Sequence, residues 1–263
     1  MSPAEPIAGH DVARVRADNP GPLTLDGTNT WVVGRDPAYA IDPGPALPEH
    51  VAAVAAEVAS RGGLGGILLT HDHADHAEAV GALRERSGAA PVAAARGDVD
   101  RRLADGDVVG PLVAVATPGH APDHLAFVAG GAAYTGDAVL GAGSVFIAPH
   151  PGALAGYLEG LRRLRALPLD VLCPGHGPPV LDPAAKLDEY LAHRLDRERR
   201  LLDALAAGRR GVDELLDQVW DDVPAALRPA AAITLRAHLD KLRDEGRLPA
   251  DVEVPEAPPE LTA

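Results

Sequence analysis

Residues 70–76 read THDHADH and begin where the apolar run GGILLT ends, so three imidazoles and two carboxylates follow a predicted buried strand. Polar side chains in such a place need partners, because burying an unpaired charge costs much free energy. A metal ion is the partner that best suits a mixture of imidazole and carboxylate. The motif therefore predicts a metal site at the edge of a sheet, with further ligands elsewhere in the chain.

Composition restricts the class of protein. The 263 residues suffice for one large domain or a domain with a smaller appendage. The formal net charge of -14 argues against a broad surface for nucleic acid or anionic membrane. The single cysteine, Cys173, allows no intramolecular disulfide, which fits a reducing compartment. Neither a signal peptide nor an apolar segment of the ~20 residues that a membrane helix needs is evident. We therefore expect a soluble, cytoplasmic protein without a membrane partner.

Short apolar runs alternate with helical patterns through the first two thirds of the chain. Strands are predicted at TWVVG, YAIDPG, GGILLT, APVAAA, PLVAVATPGH, LAFVAG, AAYTGD and DVLCPGH, with helical patterns between several of them. This alternation predicts an α/β fold over residues 1–184. From about Pro183 the pattern becomes charged and helical, which predicts a small helical domain over 185–250. The Pro- and Glu-rich segment 251–263 is expected to be a disordered tail.

Three more candidate ligands follow predicted strands. His120 ends TPGH, Asp137 ends YTGD and His176 ends CPGH, and each is preceded by a glycine. A glycine lets the backbone turn sharply, so the next side chain can point back over the sheet. Functional sites of α/β proteins commonly lie at the carboxyl edge of the strands. We therefore expect these residues to meet the THDHADH motif at one edge.

The complete set exceeds what one tetrahedral ion can use. Imidazole and carboxylate without thiolate suit Zn, and also Fe or Mn. Two divalent ions account for all seven side chains, with Asp137 as the bridge. The spacing assigns a three-histidine site and a second site that contains one carboxylate. The predicted ligands are His71, His73 and His120 at the first site, Asp75, His76 and His176 at the second, and Asp137 between them.

The motifs THDHADH, TPGH, TGD and CPGH, in that order, resemble the signature of the metallo-β-lactamase superfamily over about residues 10–182. This resemblance implies an αββα sandwich with a dinuclear site at its edge. More narrowly, the chain is similar to the beta-lactamase-like protein 2 family, which carries a C-terminal winged-helix-like domain. The narrower resemblance rests on NPGPLTLDGTNTW (19–31), TPGHAPDH (117–124), PGHGPPV followed by Tyr190, His193 and Arg194, and HLDKLRDEGRL (238–248).

Departures from other branches of the superfamily narrow the expectation. True β-lactamases of this fold commonly have a cysteine ligand where this chain has Asp137, and Cys173 is misplaced for that role, so we expect no antibiotic hydrolysis. The nucleases with a large inserted lid domain need far more chain between Asp137 and His176. Glyoxalase-II-type thioesterases share the ligand set, but their glutathione-binding C-terminal segment is not recognised here.

The predicted chemistry is hydrolysis by a metal-bridging hydroxide, since coordination lowers the pKa of water from about 15.7 to roughly 7. One ion would polarise the substrate's carbonyl or phosphoryl oxygen, and the other would stabilise the leaving group. Asp75 is the predicted catalytic residue, because it can both bind metal and orient the hydroxide. Asp42 is either a hydrogen-bond acceptor for a ligand imidazole or only a turn residue.

Other residues have two interpretations from sequence alone. His124 either touches substrate or is a core histidine with its hydrogen bonds satisfied. Asn29 and Thr30 either pack near the site or make local turn hydrogen bonds. The helix that carries Tyr190, His193 and Arg194 either lines the substrate entrance or packs one domain on the other.

We expect the substrate to be a small acyl ester or thioester, because an acidic chain favours a small molecule over a polyanion. The alternative, implied by the narrower resemblance, is endoribonuclease activity on single-stranded RNA, which requires a basic or aromatic groove beside the metals. A third class is a non-catalytic DNA-binding protein with a metal sensor. The retained ligand set speaks against it. The sequence does not indicate an oligomeric state.

Overall fold

The computed structural model describes residues 4–88 and 90–256, in which two β-sheets pack face to face. The first sheet has seven strands paired in chain order, and its first four strands are antiparallel while the later pairs are parallel. Its strands are β1 Glu5–Pro6, β2 Val12–Arg16, β3 Asn29–Val33, β4 Ala38–Ile41, β5 Leu64–Leu68, β6 Val92–Ala94 and β7 Arg101–Arg102.

The second sheet has five strands in the order β12-β11-β10-β9-β8. Its pairs are antiparallel except for the parallel pair of β11 with β12. The strands are β8 Val108–Val109, β9 Leu112–Ala116, β10 Leu125–Ala129, β11 Ala132–Gly136 and β12 Val171–Pro174.

Helices cover the outer faces of both sheets and form the C-terminal part. None of the helices within residues 4–88 and 90–256 is both long and apolar enough to span a membrane. The α-helices are α1 Pro48–Ser60, α2 Ala74–Ala77, α3 Val80–Ser87, α4 Ala153–Arg165, α5 Pro183–Ala206, α6 Val212–Val219 and α7 Arg228–Asp244, and a 3₁₀ turn spans Ala225–Leu227.

Alternation along the strands explains the layering. In β11, Tyr134 points into the cluster between the sheets, whereas Ala133 points outward into the cluster under α4. In β12, Cys173 points between the sheets and Leu172 points outward, as the two-residue period of a strand requires. A third cluster joins α1 and α3 to the outer face of the first sheet. The fold is thus the predicted αββα sandwich of class α/β.

The C-terminal helices form their own apolar cluster. Helix α5 begins with Asp182, whose carboxylate accepts a hydrogen bond from Ala185 N at 3.0 Å, and with a proline at its first position. Its first half packs on α4 and its second half packs on α6. Leu201, Leu216 and Leu235 lie in the shared cluster of α5, α6 and α7. Helix α5 therefore joins the sandwich to the C-terminal helices as one continuous rod.

Local details differ from the sequence prediction. The predicted helix AEAVGALRERSG corresponds to α3, while the short α2 begins before it within THDHADH, and strands β1, β2, β7 and β8 were not predicted. The first residues of the predicted tail contact the helical cluster through Val252 and Val254, and Arg236 donates to Pro255 O at 2.9 Å. Residues 257–263 lie outside the described residues. The proposed boundaries at 184 and 250 stay a prediction.

Candidate metal centre and its cavity

The loops that follow β5, β9, β11 and β12 bring all seven predicted ligands together at one edge of the sandwich. His71 Nε2 lies 3.0 Å from His73 Nδ1, and His120 Nε2 lies 3.1 Å from the same His73 atom. These three donor atoms lie within 4.8 Å of one another, so one ion can contact all three. This group corresponds to the three-histidine site predicted from spacing.

The second predicted group is equally compact. Asp75 Oδ2 lies 3.3 Å from His176 Nε2 and 3.5 Å from His76 Nε2. The donor atoms of the three side chains again lie within 4.8 Å of one another. Carboxylate and imidazole donors at this separation suit a divalent transition metal.

Asp137 lies between the two groups. Its Oδ2 is 3.5 Å from His120 Nε2, while its Oδ1 is 3.4 Å from His176 Nε2 and 3.5 Å from His76 Nε2. The two oxygens of one carboxylate thus face different groups. We call the seven residues the ligand clusters.

Hydrogen bonds to the far side of the imidazoles fix which nitrogen faces the clusters. Asp42 Oδ2 lies 2.9 Å from His76 Nδ1 and accepts the Thr70 hydroxyl at 2.7 Å. That hydroxyl lies 2.9 Å from His71 Nδ1, so His71 donates to Thr70 and Thr70 donates to Asp42. His71 and His76 therefore both present an unprotonated Nε2 to the centre, as metal ligands do. Asp42 thus has the acceptor position predicted for it.

Unpartnered atoms test whether a metal fits. His76 Nε2 and Asp137 Oδ1 are buried, and neither has a hydrogen-bond partner among the residues that the structure describes. Buried polar atoms without partners are rare and costly, so each calls for an explanation. A divalent cation supplies it, because both atoms are lone-pair donors that point at the same place. The residues present fit the predicted metal site.

Electrostatics divide the ligand clusters into two kinds. Burial opposes charge on His76, but Asp137 and Asp42 outweigh it and hold the His76 pKa well above its usual value. Burial likewise opposes charge on Asp137, but His76 and His176 hold its pKa well below the usual range. Burial, by contrast, lowers the pKa of His120 to about 4. Burial thus favours the neutral imidazole at His71 and His120, whereas Asp137 and Asp42 favour a proton on His76, whose place at Nε2 a bound cation would take.

His124 is a satisfied core histidine. Its Nε2 accepts the backbone N–H of Asp137 at 3.1 Å, and its Nδ1 therefore donates to Thr117 Oγ1 at 2.8 Å. Burial lowers its pKa to about 3, so the ring stays neutral. His124 holds the backbone of Asp137 in place and does not border the cavity described below.

Residues Asn29 and Thr30 fix the loops around the centre. Asn29 Nδ2 donates to Pro174 O at 3.0 Å and to Gly177 O at 2.8 Å, so it anchors both ends of the loop that carries His176. Thr30 Oγ1 donates to Asp42 O at 2.7 Å. Sequence reasoning missed Thr28, whose hydroxyl lies 3.3 Å from Asp75 Oδ2. A small polar residue in a loop carries no signal from which this contact could have been predicted.

Two of the glycines that precede ligands are required by space. A Cβ on Gly175 would lie 2.7 Å from both Asp137 Oδ1 and His76 Cε1. At Gly136, where φ is +45°, a Cβ would lie 2.5 Å from Thr70 Oγ1. Any side chain at these positions would displace a candidate ligand or its hydrogen-bond partner. The close approach explains the repeated glycine before a ligand.

A cavity of about 580 Å³ opens over the ligand clusters, and its walls come from both parts of the chain. Within the clusters, Asp75 has the most exposed carboxylate, at 31% of its side-chain surface against 10% for Asp137. We call the lining residues between 193 and 234 the helical wall. The helical wall consists of His193, Arg194, Arg197, Trp220, Asp222, Val223, Pro224, Leu227, Ala230, Ala231 and Thr234.

The structure resolves the two interpretations of helix α5. Tyr190 packs α5 on the sandwich, because its hydroxyl donates to Gly143 O at 2.9 Å and accepts from Leu140 N at 3.1 Å. His193 and Arg194, one turn further, line the cavity. Helix α5 therefore both packs on the sandwich and lines the cavity.

An αββα sandwich with His and Asp clusters at one edge is the arrangement expected of the metal-dependent hydrolase that the sequence predicts. The family model of the metallo-beta-lactamase superfamily matches residues 23–102 and 96–176, and that of the beta-lactamase associated winged helix domain matches residues 212–251. The chain belongs to the metallo-β-lactamase superfamily. The second match confirms the predicted winged-helix-like region.

Relatives extend over both parts of the chain. A beta-lactamase-like protein 2 homolog from Caenorhabditis elegans is 31% identical over 255 residues, which cover 89% of this chain and 85% of the relative. An atrochrysone carboxyl ACP thioesterase from Aspergillus chevalieri is 35% identical over 234 residues, which cover 81% of this chain and 74% of the relative. The crystal structure of a metallo-beta-lactamase family protein from Thermus thermophilus is 26% identical, with a TM-score of 0.70, and the match covers 90% of this chain and 94% of that one.

Proposed function

We propose that this protein is a dinuclear metal hydrolase that cleaves small acyl esters or thioesters in the cytoplasm. The observation that carries the proposal is the position of Asp137, whose two carboxylate oxygens face two separate groups of donors. A carboxylate in this position can bind two ions at once. The proposed ions are Zn, with Fe or Mn as alternatives, since the donors are imidazole and carboxylate.

Each group of ligands has a distinct part in this proposal. His71, His73 and His120 would hold one ion, and Asp75, His76 and His176 would hold the other. Ions bound there would lower the pKa of water to roughly 7 and polarise the substrate carbonyl. Asp42 keeps the imidazoles of His71 and His76 in their ligating tautomers through the hydrogen bonds described above.

Asp75 is the proposed catalytic residue. It faces the cavity, and Thr28 Oγ1 at 3.3 Å fixes the direction of its Oδ2. Burial raises the pKa of this carboxyl group, but His176 and His76 outweigh burial and keep Asp75 ionised at neutral pH. Asp75 orients the attacking water, accepts its proton and returns the proton to the leaving alkoxide or thiolate.

The substrate class rests on the lining of the cavity and on one relative. Leu140, Val145 and Phe146 line the side of the cavity that belongs to the sandwich, and the helical wall is largely apolar. An acyl group suits such a lining better than a polyanion does. The relative named a thioesterase, 35% identical, supports this choice.

Single-stranded RNA is the alternative substrate, and it requires free cations for phosphates and aromatic rings for bases. The two arginines of the cavity are engaged elsewhere: Arg197 binds both oxygens of Asp222 at 2.6 and 2.7 Å, and Arg194 binds Ser144 Oγ at 3.0 Å. These contacts favour the acyl substrate over RNA.

The test compares two substrates and two matched variants. Zinc-loaded protein, Asp75→Asn and Asp72→Asn are assayed with a hexanoyl thioester and with a fluorescent single-stranded RNA. Asp72 is exposed, lies three residues before Asp75 and does not belong to the ligand clusters. We expect thioester cleavage that is lost in Asp75→Asn and retained in Asp72→Asn. RNA cleavage with the same dependence on Asp75 would replace the acyl substrate by RNA. Equal activity of both variants would remove Asp75 from the mechanism.

A further inference from the structure

The helical wall places small and apolar side chains opposite the sandwich. Leu227 directly precedes α7, and Ala230, Ala231 and Thr234 lie in its first two turns. Leu227 and Ala231 are four residues apart, as are Ala230 and Thr234, so these residues lie on one face. This face borders the same cavity as the ligand clusters. Because alanine side chains are short, the face leaves open space where larger residues would fill it.

The two arginines of the helical wall are held by acceptors within the protein. Arg197 is buried, pairs with Asp222, donates to Val219 O and lies over the ring of Trp220 at 5.5 Å. Arg194 donates to Ser144 Oγ and Val145 O and lies 5.5 Å from the ring of Tyr157. Both guanidiniums are buried and engaged by protein acceptors, and the exposed lining of the cavity is mostly apolar.

We propose that this cavity binds an extended apolar acyl group, with α7 as the element that limits its length. The inference rests on the proposed function and names its substrate class: acyl groups much longer than acetyl. A volume of about 580 Å³ lies within the range of sites that enclose drug-sized ligands. Because the lining is apolar on both sides, each buried methylene strengthens binding. The carboxyl end of the acyl group would lie at the ligand clusters.

Ala230 is the position at which this length is tested. It is half-buried and lines the cavity, so a larger side chain extends into open space without repacking the core. Ala226, four residues earlier, is exposed and does not line the cavity. The substitutions Ala230→Leu and Ala226→Leu therefore form a matched pair that differs in the direction of the added side chain.

The experiment is calorimetric titration of the zinc-loaded protein with acetate, hexanoate and dodecanoate. We expect affinity to rise with chain length, by up to about fourfold for each buried methylene. Ala230→Leu should reduce the affinity for dodecanoate at least tenfold (~1.4 kcal/mol), with a smaller loss for hexanoate, while Ala226→Leu matches wild type. Affinity that is independent of chain length, or equal losses in both variants, would overturn the inference.

Hydrolysis of the corresponding thioesters separates this inference from the proposed function. Cleavage of all chain lengths at the same rate, with binding independent of length, would leave the hydrolase and remove the acyl site. Binding that depends on chain length and on Ala230, without cleavage of any thioester, would keep the acyl site and remove the hydrolase function.

Discussion

The ligand clusters and the helical wall border the same cavity, but their polar groups are used differently. In the ligand clusters, buried atoms such as His76 Nε2 and Asp137 Oδ1 have no hydrogen-bond partner among the described residues and point at a common centre. In the helical wall, the guanidinium of Arg197 is held by Asp222 and by Val219 O. The lone pairs at the ligand clusters are thus left for a ligand, whereas the Arg197 guanidinium holds parts of the protein together.

The largest effect is expected from Asp137→Asn. The amide cannot serve both groups of ligands as a carboxylate does, so bound metal should fall below the wild-type content. Activity should fall about a thousandfold or more, since metal activation is worth several kcal/mol. Metal analysis and thioester kinetics check this. A variant with full metal content and full activity would contradict the bridging position of Asp137.

The helical wall should give the opposite result: loss of stability without loss of metal. Arg194→Met leaves Val145 O and Ser144 Oγ without their buried donor and should lower the free energy of unfolding by about 3 kcal/mol. Urea denaturation measures this, and metal content should equal that of wild type. Arg199→Met on the exposed side of the same helix is the control and should change little. A loss of metal in Arg194→Met would contradict the claim that the helical wall supports stability without affecting metal binding.

A smaller effect on metal binding is expected from a change at Asp42, which contacts the ligand clusters without belonging to them. Asp42→Asn removes the charge that accepts from His76 Nδ1 and Thr70 while keeping the shape of the side chain. Metal affinity should fall about 10- to 100-fold, as for other partners of metal-ligating histidines. Competition with a chelator measures it. Unchanged affinity would show that Asp42 acts only as a turn residue.

The smallest effect should depend on pH. His238 is fully buried, neither ring nitrogen has a hydrogen-bond partner within the described segments, and burial holds its pKa well below the usual value. The unfolded chain then binds more protons below about pH 6.5, so the folded state loses stability as the pH falls.

Leucine at this site removes that loss. His238→Leu should match wild type near pH 7.5 and be more stable by about 2 kcal/mol at pH 5, as measured by urea denaturation at both values. A constant difference between the two proteins at both pH values would show that His238 does not titrate on unfolding.

Sequence reasoning located the candidate ligands because each follows a strand in a short motif of fixed chemistry, such as TPGH or CPGH. It missed strand β2, since Arg14 and Arg16 interrupt the apolar pattern of VARVR. The structure shows that Arg14 pairs with Glu5 of the neighbouring strand and reaches Gly177 O. Such contacts join residues far apart in sequence, and no local sequence pattern predicts them.

Sequence patterns also do not predict which residues form the helical wall. The charged and periodic α5 predicts a helix, but not that His193 faces the cavity while Tyr190 packs between the domains. The angle at which α5 crosses α4 decides which face of α5 lines the cavity and which face packs on the sandwich. That angle is set by packing across the whole interface. Trp220 likewise enters the cavity only because α6 ends there.

The two regions of the cavity come from separate stretches of the chain, and this bears on how such a protein can diverge. Neither Leu227 nor the α7 residues that line the cavity make a hydrogen bond to the ligand clusters among those described, so exchanges at Ala230 or Leu227 leave the clusters intact. Gly136 and Gly175, in contrast, have no room for any other residue. Descendants of one ancestral chain can therefore acquire new substrates through the last quarter of the gene while the reaction itself is inherited unchanged.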